Sequence, residues 1–468
     1  MATRQARVRM GVALGVSLAA TVLLPGCPSF GIVIRNVVLD NPSLSVGGSA
    51  HLNIDASSGT RTLHYTVQAA RGRILPQGTT DQNVFTYYAP YTAKNPNSNG
   101  NLVSGDTITV VVNDGFSSQT QTLPVNLAGT TITYVQNADP NTGAGDIMLA
   151  TTDDTGFQVT NQRQLKDSTG QPVRGAEPTV SPNGRMIAYV DYSQGSGNST
   201  ALVVIDAGGL KHTVVNAVDA INNLDPAWAP SSAEIAFASD RNGRNFNLYR
   251  ISVGNEGATT IQITNAAINQ RYPAWNPSLQ QDRVSTMVVS AQMNDMTGIG
   301  SYNPTAAWNL FLLNIPQGAY VKQLTNLSDQ RDYAFEAQWR GDGQVIAYTH
   351  YGAVQAPQAD SSRYQRVYLQ DVTQNLGSGQ ILNPTETSPS VFESSPVWNQ
   401  IGTQIAYLKS FNPPTGPGTA QVWRQQINGL VPASAPPIQW TDFSAGIPAI
   451  WYQSTQHRPE YGVSFAWH

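Results

Sequence analysis

His212, His350, His457 and His468 are the histidines of the C-terminal two thirds of this 468-residue chain. An imidazole is the side chain best suited to hold a divalent metal or to move a proton near neutral pH. Their spacing matches no ligand motif. There is no His-Glu-x-x-His run, and a single cysteine, Cys27, cannot build a zinc ribbon or a haem-attachment pair. No Gly-x-Ser-x-Gly nucleophile elbow occurs either. Paired carboxylates could hydrolyse a glycoside, but that pairing is spatial and no stretch of sequence argues for it. The residues therefore predict no catalytic group, no metal and no cofactor.

Cys27 invites a different chemistry. Arg4, Arg7 and Arg9 precede an apolar run over residues 11–24, which is short for a membrane span and ends at Leu24-Pro25-Gly26-Cys27. The tetrad resembles the bacterial lipobox, in which the cysteine is acylated; Pro25 departs from the usual small residue. Residues 1–26 then read as a lipoprotein signal peptide. Acylated Cys27 would anchor the chain to a membrane through more than one acyl chain, as stable anchoring requires. Pro28-Ser29 lacks the Asp that, in that family of signals, favours inner-membrane retention, so the expected location is the cell envelope at the outer membrane. Without residues 1–26, which hold three Arg and no acid, 23 basic side chains face 30 acidic ones, a net charge of −7. No basic run exists, and nucleic acid is excluded as a partner class.

The elements that must position any site are strands. Charged residues make up only 12% of the chain, while Gly (40) and Pro (29) are abundant, a composition of short strands and many turns. Over residues 27–128, alternating segments at 32–39, 50–56, 63–69, 84–88, 107–113 and 119–126 predict a β-sandwich. Leu127-Ala128-Gly129 reads as a short linker. From residue 130 on, a degenerate repeat of Pro-x-Trp, a turn, then Ile-Ala-aromatic runs to the end. Its clearest copy is Asp225-Pro226-Ala227-Trp228 followed by Ile235-Ala236-Phe237 and Asn247-Leu248-Tyr249. A repeat of this length marks a propeller. Ile132-Thr133-Tyr134, Ile187-Ala188-Tyr189, Ile235-Ala236-Phe237, Met287-Val288-Val289, Ile346-Ala347-Tyr348 and Ile405-Ala406-Tyr407 are read as one strand in six successive blades. The C-terminal Phe465-Ala466-Trp467 supplies the strand the first blade lacks and so closes the ring.

These repeats resemble the TolB-like propeller family over residues 130–468. The N-terminal pattern resembles bacterial immunoglobulin-like and cadherin-like surface modules. The implied fold class is all-β: an immunoglobulin-like β-sandwich followed by a six-bladed β-propeller closed by the C-terminal strand. TolB itself carries an α/β domain where this chain has the sandwich, so the TolB role is not carried over. Cadherin-like modules would put calcium at Asp114; an Asx-turn at Asn113-Asp114-Gly115 is the simpler reading. Trp228, Trp275, Trp339 and Trp398 read as wedges between blades. Long loops at 193–199, 292–306, 351–364 and 411–418 should gather on one face. Tyr302, Tyr351, Tyr364 and Phe411 there are the predicted partner contacts, because Tyr amid Asn and Ser gives adaptable contact surface. The expected function is a non-catalytic scaffold for one or more envelope proteins. The alternatives are a glycan-binding or polysaccharide-lyase-type surface protein, and a subunit of a larger surface assembly.

Overall fold

The computed structural model describes residues 31–467, except 60, 97–101, 140–141, 153–158, 194–198, 244, 255–256, 279–285, 301–302, 354–362, 389, 400–401, 412–417, 433–435, 440–446 and 450–465. Cys27, Tyr302, His457 and His468 lie outside the described residues. The described residues are all-β; among them one short 3-10 turn, Met296–Gly300, interrupts the strands. Among the described residues no helix is long and apolar enough to cross a membrane.

Residues 33–128 fold as two stacked sheets. One orders Val33–Leu39, Ser49–Ser57, Val84–Tyr88 and Arg73–Leu75; the other orders Ser43–Ser45, Ser118–Ala128, Asp106–Asn113, His64–Ala69 and Thr79–Thr80. Alternation decides which residues go inside. Along Ser49–Ser57, Ala50, Leu52 and Ile54 are buried while Ser49, His51, Asn53 and Asp55 are exposed, as a period of two requires. The inward set joins Phe85, Tyr87, Ile108, Val110 and Val112 in one core. Asp114 takes the Asx-turn. Its carboxylate accepts the Phe116 and Ser117 N–H groups at 3.0 and 2.8 Å and the Ser58 hydroxyl at 2.8 Å, with Arg61 at 3.3 Å. Those donors, the backbone N–H groups foremost, hold its carboxyl well below the usual carboxylate range.

From Thr130 onward the strands form successive antiparallel units of a β-propeller. In each unit an inner strand pairs with a second strand that holds the Ile-Ala-aromatic triplet or, in Thr286–Gln292, its counterpart Met287-Val288-Val289. Arg174–Val180 pairs Met186–Asp191, Asn223–Trp228 pairs Glu234–Ser239, Gln270–Trp275 pairs Thr286–Gln292, Tyr333–Trp339 pairs Val345–Ala353, and Val391–Trp398 pairs Gln404–Phe411. The second strands are buried on both faces; Ile235, Ala236, Phe237 and Ala238 are wholly so. That explains an apolar run instead of an alternation. Neighbouring units share cores, and the ring closes. Ile132, Tyr134 and Ala150 of the first unit pack with Val397, Leu408 and Val422 of the last, while Ala466–Trp467 pairs Thr133 and Ile132.

The repeated tryptophans join these units. In three of them the indole N–H donates to a carbonyl of the preceding inner strand: Trp228 to Thr179 at 3.1 Å, Trp275 to Ala227 at 3.1 Å and Trp339 to Ala274 at 2.9 Å; that of Trp398 is buried and finds no acceptor among the described residues. Replacing Trp228 with Phe keeps most of the packing and orphans one buried carbonyl, which is expected to cost about 1 kcal/mol in urea unfolding. A cost below about 0.3 kcal/mol would mean that the wedge works by shape alone.

The sandwich is clamped to the propeller. Tyr91 sits within a propeller core beside Leu149, Val180 and Ile187, and its hydroxyl donates to the Asp206 carbonyl at 3.1 Å. Arg73 ion-pairs with Asp206, Arg163 donates to the Gly47 carbonyl at 2.5 Å, and the Tyr91 N–H donates to the Gly184 carbonyl at 2.7 Å. The step between the two parts is as tight. Gly129 has φ +86°, and a Cβ there would lie 2.3 Å from the Thr152 carbonyl oxygen, so only glycine fits. Gly184 belongs to the turn between an inner strand and its second strand. The sandwich therefore docks on that turn side of the ring, opposite the loops that leave the far ends of the second strands.

Candidate functional site

The inner strands share a local irregularity. Glu177, Asp225, Tyr272, Glu336 and Ser395 all adopt positive φ, between 49° and 56°. Each falls where the pairing register of its strand shifts, between Ala176 and Thr179, Leu224 and Ala227, Arg271 and Ala274, Phe335 and Gln338, and Ser394 and Val397. A bulge bends the strand and re-aims a side chain. A left-handed non-glycine residue costs about 1–3 kcal/mol and persists only where its surroundings enforce it. Here five equivalent bulges line a central cavity of about 210 Å³.

Three of the five side chains are carboxylates. Glu177 accepts the Asp225 N–H at 2.5 Å, Asp225 accepts the Tyr272 N–H at 3.0 Å, and Glu336 accepts the Ser395 N–H at 3.0 Å. Each acid thus reaches the equivalent residue of the next inner strand. Glu336 also accepts the Thr349 and Ser395 hydroxyls at 3.0 and 3.1 Å. Asp225 forms a two-pronged buried ion pair with Arg271 through Nη2, at 3.0 Å, and Nε. Arg271 is further held between the rings of Phe246 and Tyr272, each 5.0 Å from the guanidinium.

The electrostatics follow from enclosure. Burial, then the charge of Asp225, raises Glu177 to about 8 against the partial relief of Arg271. Burial raises Glu336 to about 7, with the Thr349 and Ser395 hydrogen bonds opposing it. Glu336 is partly exposed and is one of the residues that line the cavity. Burial lowers the Arg271 guanidinium, but Asp225 and Tyr272 outweigh it and the net shift is upward. Such a site can hold and release protons near neutral pH, and it gains negative charge as the solution becomes more alkaline.

Sequence reasoning missed these acids. Their signal was the residue just before the Pro-x-Trp motif: Glu177-Pro178, Asp225-Pro226, and Glu336 in the copy where Ala337 replaces proline. The partner contacts proposed from sequence fall differently. Tyr351 is 7% exposed and packs with Trp308, Tyr333 and Phe335, so it is a core residue and not a contact. The reason is that Val345–Ala353 pairs with Arg363–Asp371 out to Ala353 and Arg363, which shortens the predicted 351–364 loop. Tyr364 is half-buried beneath the Arg366 guanidinium. Phe411 is 55% exposed and rests edge-on against Trp423. His350 packs edge-on against Tyr368, and His212 lies on the outer strand Lys211–Val215. Among the described residues no three His, Cys, Asp or Glu side chains converge to hold a metal.

No protein-family model matches this chain, and no curated protein is similar to it. Among solved structures it is similar to a TolB from Agrobacterium tumefaciens, at 11% identity over 69% of this chain and 89% of that one, with a TM-score of 0.34. It is also similar to an oligogalacturonate lyase from Vibrio parahaemolyticus, at 14% identity over 70% and 83% with a TM-score of 0.37. A third is the β-propeller domain of the trilobed protease from Pyrococcus furiosus, at 12% identity over 72% and 95% with a TM-score of 0.36.

Proposed function

We propose that this chain is a lipid-anchored protein of a bacterial cell envelope. Acylated Cys27 tethers an immunoglobulin-like sandwich, residues 27–128, which carries a six-bladed TolB-like propeller, residues 130–468, closed by the C-terminal strand. The propeller works as a non-catalytic scaffold for an envelope protein.

The observation that carries this reading is the docking side of the sandwich. It grips the turn at Gly184, so the connections that follow the second strands, 293–307 and 354–362 among them, leave the opposite face of the ring. An anchor placed before the sandwich would then hold that face away from the membrane. Exposed apolar groups there, Phe411 at 55% and Met296 at 37%, suit a partner surface better than solvent.

The test is affinity capture from envelopes of the source cells, using residues 28–468 as bait with cross-linking and mass spectrometry. A second bait lacks residues 296–302 and 354–362, cuts that leave the paired strands intact. A protein captured by the first bait and lost with the second is the expected result. Equal capture by both moves the contact to the sandwich or the turn side. Capture of glycan with no protein would replace the scaffold reading with the glycan-binding one.

A further inference from the structure

We propose that the central cavity of the propeller is a binding site for a small organic ammonium cation, separate from the loop face. The cavity is walled by the inner strands from their bulges toward the turn side. Among the described residues its charged lining is Glu177, Asp225 and Glu336, with no Lys, Arg or His. The nearest cation, Arg271, is engaged in both prongs of its pair with Asp225. Among the described residues neither Glu177 nor Glu336 forms an ion pair of its own, although Arg271 gives Glu177 partial relief.

Glu177 is the decisive residue. It is 6% exposed, one carboxylate oxygen takes the Asp225 N–H, and the other accepts no hydrogen bond from the described residues. That second oxygen belongs to a residue that lines the cavity, so a ligand's donor can meet it there. An ammonium N–H there would complete it, and charge-assisted hydrogen bonds are the strong ones. An anion would be repelled once these glutamates ionise. A bare metal ion lacks a converging ligand set among the described residues. The remaining lining includes several prolines and the aromatic residues Trp228, Tyr272 and Trp275, which suit an alkyl group and attract a cation.

Binding is coupled to protons. Glu177 faces Asp225, Arg271 and Glu336, and Glu336 faces Asp225; burial among them keeps both glutamates partly protonated near neutrality. An arriving ammonium displaces those protons, so affinity rises as the solution becomes more alkaline across this range.

The experiment is isothermal titration of residues 28–468 with n-butylammonium at about pH 6 and about pH 8.5, in buffers of differing ionisation enthalpy, with butanoate as the charge-reversed control. The expected result is saturable binding of n-butylammonium, tighter at the higher pH and releasing protons, with none for butanoate. Glu177→Gln combined with Glu336→Gln should weaken it by at least about tenfold. Gln338→Lys, which puts a tethered ammonium on the same wall, should weaken it comparably with both glutamates intact; it decides the matter if the double variant does not fold. Absence of saturable binding, equal binding of butanoate, or affinity unchanged by these substitutions would overturn the proposal. The loop-face capture experiment is independent of every one of these outcomes.

Discussion

Replacing Arg271 with methionine is expected to lower the unfolding free energy by about 3–5 kcal/mol, the usual cost of removing one partner from a buried ion pair. Arg271 and Asp225 are 5% and 7% exposed. Methionine fills much of the same volume, so the loss reports charge and not a cavity. The Asp225 carboxylate would keep one backbone N–H, from Tyr272, and would face Glu177 with no intervening cation. Lysine at 271 should recover only part of the loss, because an ammonium cannot satisfy both carboxylate oxygens in the forked geometry of a guanidinium. The contrast is Arg35→Met, which breaks an exposed pair with Asp55 at 2.9 Å and is expected to cost less than about 1 kcal/mol. Urea unfolding followed by tryptophan fluorescence measures all three. A loss below about 1 kcal/mol for Arg271→Met would show that the inner ring does not depend on this pair.

The second large effect is a dependence of stability on pH that runs against the common acid-denaturation pattern. Glu177 and Glu336 stand at about 8 and about 7 in the folded protein, above their ordinary value of 4.5. Folding therefore raises their affinity for protons, and the folded state binds more protons than the unfolded one between pH 4.5 and about 8. Their contribution is fully present below pH 4.5 and is lost as pH rises through about 7 and then about 8. The summed loss is on the order of a few kcal/mol. Asp114 and Asp167 are shifted the other way by hydrogen bonds, so their contribution is lost at the acid end, and the two trends leave a maximum in mildly acidic solution. Glu177→Gln and Glu336→Gln should each flatten the alkaline side, since an amide cannot ionise. Thermal midpoints from about pH 5 to about pH 9 test this. A midpoint that stays level or rises across that interval in the parent protein would refute the assignment.

Much of the fold is legible in the sequence. The six sandwich segments taken from alternation coincide with strands to within one or two residues. The Ile-Ala-aromatic triplets all fall in second strands, because a strand covered on both faces must be apolar throughout. The tryptophans were legible as wedges, although their indole N–H bonds to the preceding inner strand were not. Tyr351 misled because its neighbourhood in sequence is polar and loop-like, while the hairpin that buries it depends on Arg363–Asp371 pairing back across the gap.

The carboxylate ring was the larger omission. Glu177 and Asp225 are 48 residues apart in the chain, yet one accepts the other's backbone N–H. Within any one copy, an acid before proline reads as an ordinary turn residue. Only when the inner strands stand side by side round a closed ring, each bulged at the same position, do these acids face a common space.

The sequence by itself determined the local terms: which residues alternate, which strands are covered on both faces, where turns fall, and where large aromatics must be buried. Those depend on near neighbours and on hydrophobicity, and both are written in order along the chain. The tertiary structure alone decided the side of the ring on which the sandwich docks, the burial of Tyr351, and the convergence of Glu177, Asp225, Arg271 and Glu336. Closure of the ring sets these, because a charge's energy depends on what surrounds it in space, and that shell is assembled from every blade at once.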